Sequence, residues 1–67
     1  MEHLSPREYV VARLVVMGNS DGEIARKLRL SVRTIENTLA SVYSKLGVST
    51  REQVAVAFPK ARRPTLT

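Results

Sequence analysis

The chain has 67 residues, a length that allows one small domain and leaves no room for a second. It contains no cysteine and a single histidine, which excludes a disulfide framework, a cysteine-based zinc site and a site with several histidine ligands. Lys and Arg outnumber Asp and Glu by 11 to 6, so the net charge is +5, which makes nucleic acid a candidate partner beside the plainer alternative of a generic basic domain.

The first predicted helix begins at Pro6, whose fixed φ suits the first helical position. Ser5 is a favourable N-cap, and Glu8 completes a capping box with it. The apolar run from Tyr9 to Met17 fits a helix buried on one side. Because this run is rich in β-branched valine, tertiary packing is expected to stabilise it. Gly18 is predicted to end the helix.

A second, shorter helix is predicted from about Asp21 to Leu28. It opens on the capping box Ser20-Asp21-Gly22-Glu23. Its apolar residues fall on one face: Ile24, Ala25 and Leu28. Arg29 and Leu30 then form a tight turn to the next helix.

A third helix, from Ser31 to Leu46, has the clearest helical period in the chain. Ser31 is its cap, and Gly47 is predicted to stop it. The apolar positions recur at spacings of three and four residues: Val32, Ile35, Leu39, Val42 and Leu46. This stripe predicts a helix with one face against a core.

The opposite face of the third helix is polar and made of small side chains. At about 100° per residue, it consists of Arg33, Asn37, Ala40, Ser41 and Ser44. Glu36 and Thr34 flank it. Small side chains let a helix enter a groove roughly 12 Å wide, so this face favours insertion into the major groove of DNA. The alternative is an ordinary solvated helix face.

A fourth helix is predicted to open on the capping box Thr50-Arg51-Glu52-Gln53 and to end at Pro59, after Phe58. Residues 60–67 are basic and aperiodic, and we predict a disordered tail there, beyond a folded domain of residues 1–59. No strand pattern, repeat or Gly-rich phosphate loop is present in the sequence. The fold class is therefore all-α, with a helix-turn-helix in a four-helix bundle.

The sequence resembles the LuxR/GerE-type helix-turn-helix from roughly Leu4 to Phe58. The matching segments, in order, are Leu4-Ser5-Pro6-Arg7-Glu8, Gly18, Glu23-Ile24-Ala25 with Leu28, Ser31-Val32-Arg33-Thr34-Ile35-Glu36, Lys45-Leu46-Gly47-Val48, and Thr50-Arg51 with Gln53. Each segment is weak evidence by itself, but their joint order and spacing are specific for this family. The resemblance implies a transcription-regulatory role, usually as the C-terminal output domain of a larger regulator and sometimes as a protein standing alone.

The resemblance also implies which residues touch DNA. Positions matching Glu36, Asn37 and Ala40 commonly face base edges in that family. Those matching Ser31, Thr34 and Lys45 commonly hold phosphates. Because Arg33 lies on the outward face, we add it to the base-facing set. Its positive charge also makes it a candidate for a phosphate contact. We add Arg29, in the turn, to the phosphate set.

The sequence departs from the family pattern within the recognition helix. Lys is frequent at the base-facing positions where this chain has Glu36 and Ala40, and Thr38 stands where His is frequent. Glu36 has two interpretations: it accepts a hydrogen bond from a cytosine amine, or it pairs with Arg33 three residues earlier. Asn37 has the amide that can bind adenine through two hydrogen bonds.

The last helix is apolar on more sides than one bundle face requires. The fourth helix of the resembling family forms a two-fold dimer on DNA. We therefore predict a homodimer contact through Arg51, Val54, Ala55 and Phe58. In the alternative interpretation Val54 and Phe58 belong to the core of the monomer.

These observations together predict a cytoplasmic, homodimeric protein that binds specific double-stranded DNA to regulate transcription, with RNA polymerase as a further candidate partner. No catalytic residues, metal, cofactor or small-molecule ligand are expected within the chain, and no apolar run reaches the roughly 20 residues of a membrane span. Two alternatives remain: a protein-interaction helix-turn-helix module, and a DNA-binding region like that of a sigma factor.

Overall fold

The computed structural model describes residues 3–58, which form four α-helices and no strand. The helices are α1 (Pro6–Val16), α2 (Asp21–Leu28), α3 (Val32–Leu46) and α4 (Arg51–Ala57). The predicted all-α, four-helix fold is confirmed. Pro59 and the predicted tail of residues 60–67 lie outside the described residues.

Three helices begin with the capping boxes that the sequence predicts. In α1 the Ser5 hydroxyl accepts a hydrogen bond from the backbone N–H of Glu8 at 3.2 Å, and the Glu8 carboxylate accepts from the backbone N–H of Ser5 at 2.7 Å. The same reciprocal pairs open two other helices: Ser20 with Glu23 in α2, and Thr50 with Gln53 in α4. Each box satisfies two backbone donors that a helix start leaves without a partner.

Three helices end on a residue with positive φ: Gly18 at 97°, Arg29 at 59° and Gly47 at 71°. After each of them the next backbone N–H bonds back to a carbonyl in the last turn, as in the Schellman motif. At the end of α2, for example, the N–H of Leu30 donates to the carbonyl of Ala25 at 2.9 Å. The tight turn between α2 and α3 therefore uses a left-handed arginine where glycine is the usual residue.

Replacing Arg29 with glycine is expected to raise the free energy of unfolding by about 0.5–1 kcal/mol. A left-handed conformation costs a residue with a Cβ roughly 1–2 kcal/mol, and the greater chain entropy of unfolded glycine offsets part of the gain. Urea denaturation followed by circular dichroism measures the change. Arg29→Ala is the matched control, because it removes the same charge and keeps the Cβ, so it should leave stability nearly unchanged. Equal effects of the two variants would contradict the explanation.

The core lies where α3 crosses α1 and α2, and α4 closes it against α1. The largest fully buried side chains are Val11, Ile24, Ile35, Val42 and Val54. The ring of Phe58 packs against the ring of Tyr9 with their centroids 5.0 Å apart, which fixes the end of α4 on α1. Among the described residues, no helix is long and apolar enough to cross a membrane.

The buried face of α3 differs from the predicted stripe at two positions. Its central residues are buried as predicted: Ile35, Leu39 and Val42. Val32, however, is 44% exposed. Val32 is the first residue of α3, so its Cβ tilts toward the helix N-terminus and beyond the turns of α3 that pack on the core. Thr38 is buried, and its hydroxyl donates to the carbonyl of Thr34 at 2.8 Å, so the buried group has a partner.

Candidate nucleic-acid interface

The helix-turn-helix pair is held together by its inner side chains. Ala25 of α2 is 5% exposed, and its small side chain lets α3 approach closely. Leu28 and Leu30 are half-buried at the corner and pack against the core. Ile35 of α3 is fully buried in that core. The two helices therefore form one rigid unit, and α3 is left with a single free face.

That free face carries the four predicted base-facing residues together. Arg33, Glu36, Asn37 and Ala40 are all exposed, with Ser44 exposed one turn further on. Among residues 3–58 the ion pairs are Lys45 with Glu8 and Arg51 with Asp21, so Glu36 is not paired with Arg33. Within residues 3–58 the side chains of Arg33, Glu36 and Asn37 therefore have no ion-pair or hydrogen-bond partner. Their donors and acceptors remain free to bind another molecule.

The N-terminal end of α3 brings two predicted phosphate contacts next to each other. The Ser31 hydroxyl accepts from the backbone N–H of Thr34 at 3.0 Å and lies 2.9 Å from the Thr34 hydroxyl. Ser31 is exposed and Thr34 is half-buried. Arg29 and Arg33 are exposed on either side of them. Since a helix N-terminus carries partial positive charge, this end of α3 is electropositive.

The C-terminal end of α3 is fastened to α1 by a polar cluster. The Lys45 Nζ donates to Glu8 Oε1 at 2.8 Å, and the Ser41 hydroxyl donates to Glu8 Oε2 at 2.6 Å. Ser41 was predicted on the outward face, and the structure corrects this: it is half-buried and turned toward α1. Lys45, predicted to contact phosphate, here has its ammonium on a carboxylate.

Sequence reasoning explained Glu8 as a capping residue and missed this second role. The carboxylate has two oxygens, so it caps the start of α1 and still accepts hydrogen bonds from α3. Glu8 is 9% exposed, and an acidic residue that far inside a domain usually has a cationic partner. A signal was available in the sequence, because Glu8 falls on the same helical face as Val11, Ala12 and Val15.

The fold is expected to lose stability in acid through Glu8. Hydrogen bonds from Lys45, Ser41 and Ser5 lower the pKa of Glu8 from 4.5 to about 2, although burial opposes the shift. The carboxylate therefore stabilises the fold fully above about pH 4.5, and this contribution is lost as the pH falls toward 2. Urea unfolding across this range should show the decline in the wild type.

Glu8→Gln is the comparison for the acid experiment. We expect this variant to be less stable at neutral pH by about 1–3 kcal/mol, because it leaves buried hydrogen-bonding groups poorly paired. Its stability should then change less between pH 4.5 and 2 than that of the wild type. Parallel curves for the two proteins would show that another carboxylate causes the acid sensitivity.

The predicted dimer residues of α4 do not share one surface. Val54 is fully buried and Phe58 is 8% exposed, so both serve the core of the monomer and a partner chain could reach only their neighbours. The Arg51 guanidinium donates to Asp21 Oδ1 and to the Asn19 carbonyl, each at 2.7 Å. Ala55 is exposed, and Val56, which the prediction did not include, is 66% exposed.

No group of three or more His, Asp or Glu side chains within residues 3–58 is arranged to hold a metal ion. The carboxylates in this part of the chain have structural explanations or lie alone. Glu8 and Glu23 complete capping boxes, and Asp21 pairs with Arg51.

Comparisons with known proteins agree on one family. The family model described as "Bacterial regulatory proteins, luxR family" matches residues 2–58. The chain is 36% identical over 59 residues to the bialaphos biosynthetic pathway regulatory protein of Streptomyces hygroscopicus, covering 88% of this chain and 23% of that protein. It is 40% identical over 53 residues to the transcriptional regulatory protein ComA of Bacillus subtilis, covering 79% of this chain and 25% of ComA.

A solved structure gives the same result for the fold. The response regulator ChrA of a heme-sensing two-component system superposes with a TM-score of 0.84 at 33% identity, over 90% of this chain and 30% of that one. The chain thus spans less than a third of each of these relatives. It spans 6% of an HTH-type transcriptional regulator from Mycobacterium tuberculosis, to which it is 45% identical over 51 residues, 76% of this chain.

Proposed function

Because this chain belongs to the luxR family of bacterial regulatory proteins, we propose that it binds specific double-stranded DNA sequences, with α3 as the recognition helix in the major groove. Membership confirms the predicted family, and the relatives named above are regulatory proteins, which supports a DNA-binding role in transcription regulation. The sequence-specific and groove-reading parts are our proposal. The observation that supports them most is the exposed strip on α3, formed by Arg33, Glu36, Asn37 and Ala40. Its polar side chains have no partner within residues 3–58.

The strip offers a different chemistry at each position. Arg33 has the guanidinium that binds guanine O6 and N7, and Asn37 has the amide that binds adenine N6 and N7. Glu36 accepts from the cytosine N4 amine, and Ala40 can contact a thymine methyl group. In the groove the carboxylate of Glu36 would be repelled by the DNA phosphates. Among the bases, only a cytosine placed opposite Glu36 would offset this cost, by donating a hydrogen bond from its N4 amine. The proposal therefore expects a strong base preference opposite Glu36.

Backbone contacts would set the register of α3 on the duplex. Arg29, Ser31 and Thr34 lie together at the electropositive N-terminal end of α3, where a phosphate would meet both the cation and the helix N-terminus. Lys45 is the remaining predicted contact, and it can reach a phosphate only if its Nζ leaves the carboxylate of Glu8.

We place the proposed dimer contact on the exposed side of α4. Ala55 and Val56 form a small apolar surface there, beside Arg51, while Val54 and Phe58 support it from inside. A two-fold dimer would bring two copies of α3 to half-sites about one helical turn apart. The DNA and the RNA polymerase that such a regulator would work with lie in the bacterial cytoplasm, where we place the protein.

Selection of binding sites from random duplex DNA tests the proposal. We expect enrichment of one motif, repeated about one helical turn apart if the dimer forms. Asn37→Ala should lower affinity for the selected site by about 1–3 kcal/mol with almost no change in unfolding free energy, because Asn37 is exposed. If a folded wild-type protein enriches no motif at any salt concentration, the protein-interaction alternative is favoured.

A further inference from the structure

We propose that Lys45 and Ser41 are positioning residues of the recognition helix: with Glu8 they fix the C-terminal half of α3 on α1, while the cations at the α2–α3 turn neutralise the phosphates. This inference rests on the proposed DNA-binding function. It assigns the positioning of α3 to its C-terminal end and the neutralisation of phosphates to the turn at its N-terminal end. It assigns to Lys45 a role other than the phosphate contact that the family resemblance implies.

The contacts of Lys45 support this assignment. Its Nζ lies 2.8 Å from Glu8 Oε1, and its side chain is 25% exposed. The same Nζ is 3.5 Å from the carbonyl of His3, so the residues that precede α1 also face it. A charged hydrogen bond to a carboxylate that also accepts from Ser41 is among the stronger polar contacts in proteins. To bind phosphate, Lys45 would have to break it.

The geometry of α3 explains why that fixation matters for DNA reading. Ser41 and Lys45 are four residues apart and therefore lie on one helix face, which is turned toward α1. At 1.5 Å per residue, Lys45 is about 18 Å along the helix from Arg33. The turn to α2 holds one end of α3 and the Glu8 cluster holds the other. Together they set the angle at which the exposed strip meets the bases.

The cations available to phosphates are at the opposite end. Arg26, Lys27 and Arg29 are exposed around the α2–α3 turn. Within residues 3–58 none of these three side chains is in an ion pair. Their charge is therefore fully available to a polyanion, whereas the charge of Lys45 is already neutralised by Glu8.

The salt dependence of DNA binding separates the two roles. Each cation that neutralises a phosphate contributes about 0.9 to the slope of log affinity against log salt concentration. We expect Arg29→Gln to reduce the slope by about 0.9. Lys45→Met should leave the slope unchanged and lower the ratio of specific to non-specific affinity about tenfold, equivalent to one lost base contact. Lys45→Arg should restore most of that ratio, because it keeps a donor toward Glu8.

Glu8→Gln gives opposite results under the two roles. If Lys45 positions α3, removing the carboxylate charge lowers the specific to non-specific ratio, and the double variant with Lys45→Met is no worse than either single variant. If Lys45 binds phosphate, freeing its ammonium raises affinity for the selected site and increases the slope. That second result, or a slope reduced by about 0.9 in Lys45→Met, would overturn the inference.

Ser41→Ala keeps the test decisive if the charge variants are too unstable. It removes one hydrogen bond and no charge, so the domain should stay folded by circular dichroism, and the specific to non-specific ratio should still fall at an unchanged slope. An unchanged ratio would overturn the inference. Absence of salt-dependent, sequence-specific binding by the wild-type protein is a different result, because it would overturn the proposed function itself.

Discussion

Replacing Ile35 with alanine is expected to lower the free energy of unfolding by about 2–5 kcal/mol. Ile35 is fully buried where α3 meets α1 and α2, and the smaller side chain would leave a cavity that three helices cannot close. A domain of this size has a total stability of roughly 3–10 kcal/mol, so the expected loss is a large part of it. Urea or thermal denaturation followed by far-UV circular dichroism measures the loss.

Val32→Ala is the matched control for Ile35→Ala. Both residues lie on the predicted apolar stripe of the same helix, three positions apart, but Val32 is 44% exposed. We expect its replacement to change stability by less than about 1 kcal/mol, since little apolar surface is removed from a packed environment. Equal losses in the two variants would contradict the position of Ile35 at the centre of the core.

Replacing Arg33 with alanine is expected to lower affinity for the selected DNA site by about 1–3 kcal/mol, or roughly 5- to 150-fold, with little change in stability. Arg33 is exposed at the start of α3 and has no ion-pair partner within residues 3–58, so its guanidinium can bind guanine through two hydrogen bonds. Fluorescence anisotropy with the selected duplex and a scrambled duplex measures both affinities, and the selected duplex should lose more.

Arg13→Ala controls for the lost charge. Arg13 is exposed on α1, outside the recognition helix, and its removal changes the net charge by the same amount. We expect a small and equal loss of affinity for both duplexes, through long-range attraction alone. If Arg13→Ala reduces specific binding as much as Arg33→Ala does, the two arginines act only through net charge and α3 is not the reading surface.

The local features of the fold could be predicted from the sequence because they depend on residues close together in the chain. A capping box involves residues three apart, so Ser5 with Glu8 and Ser20 with Glu23 are recognisable without any knowledge of tertiary structure. The bounds of α2 were predicted to the residue for the same reason. The left-handed conformation of Arg29 was not predicted, because glycine is the usual signal for it.

The contacts that join helices could not be predicted in this way. Ser41 and Lys45 meet Glu8 across 33 and 37 residues of sequence, and Arg51 meets Asp21 across 30. Local spacing indicates that these residues are polar and lie on helices. It does not indicate which helices cross, or at what angle.

The sequence by itself determined the four helices, the helix-turn-helix pair and the polar face of α3, because helix periods and caps are local properties. Only the tertiary structure decided which side chains remain available on those helices. It turns Ser41 and Lys45 toward α1, buries Val54 and Phe58, and exposes Val32 and Val56. The physical reason is that burial depends on where a second helix crosses the first, and a crossing depends on the packing of the whole bundle.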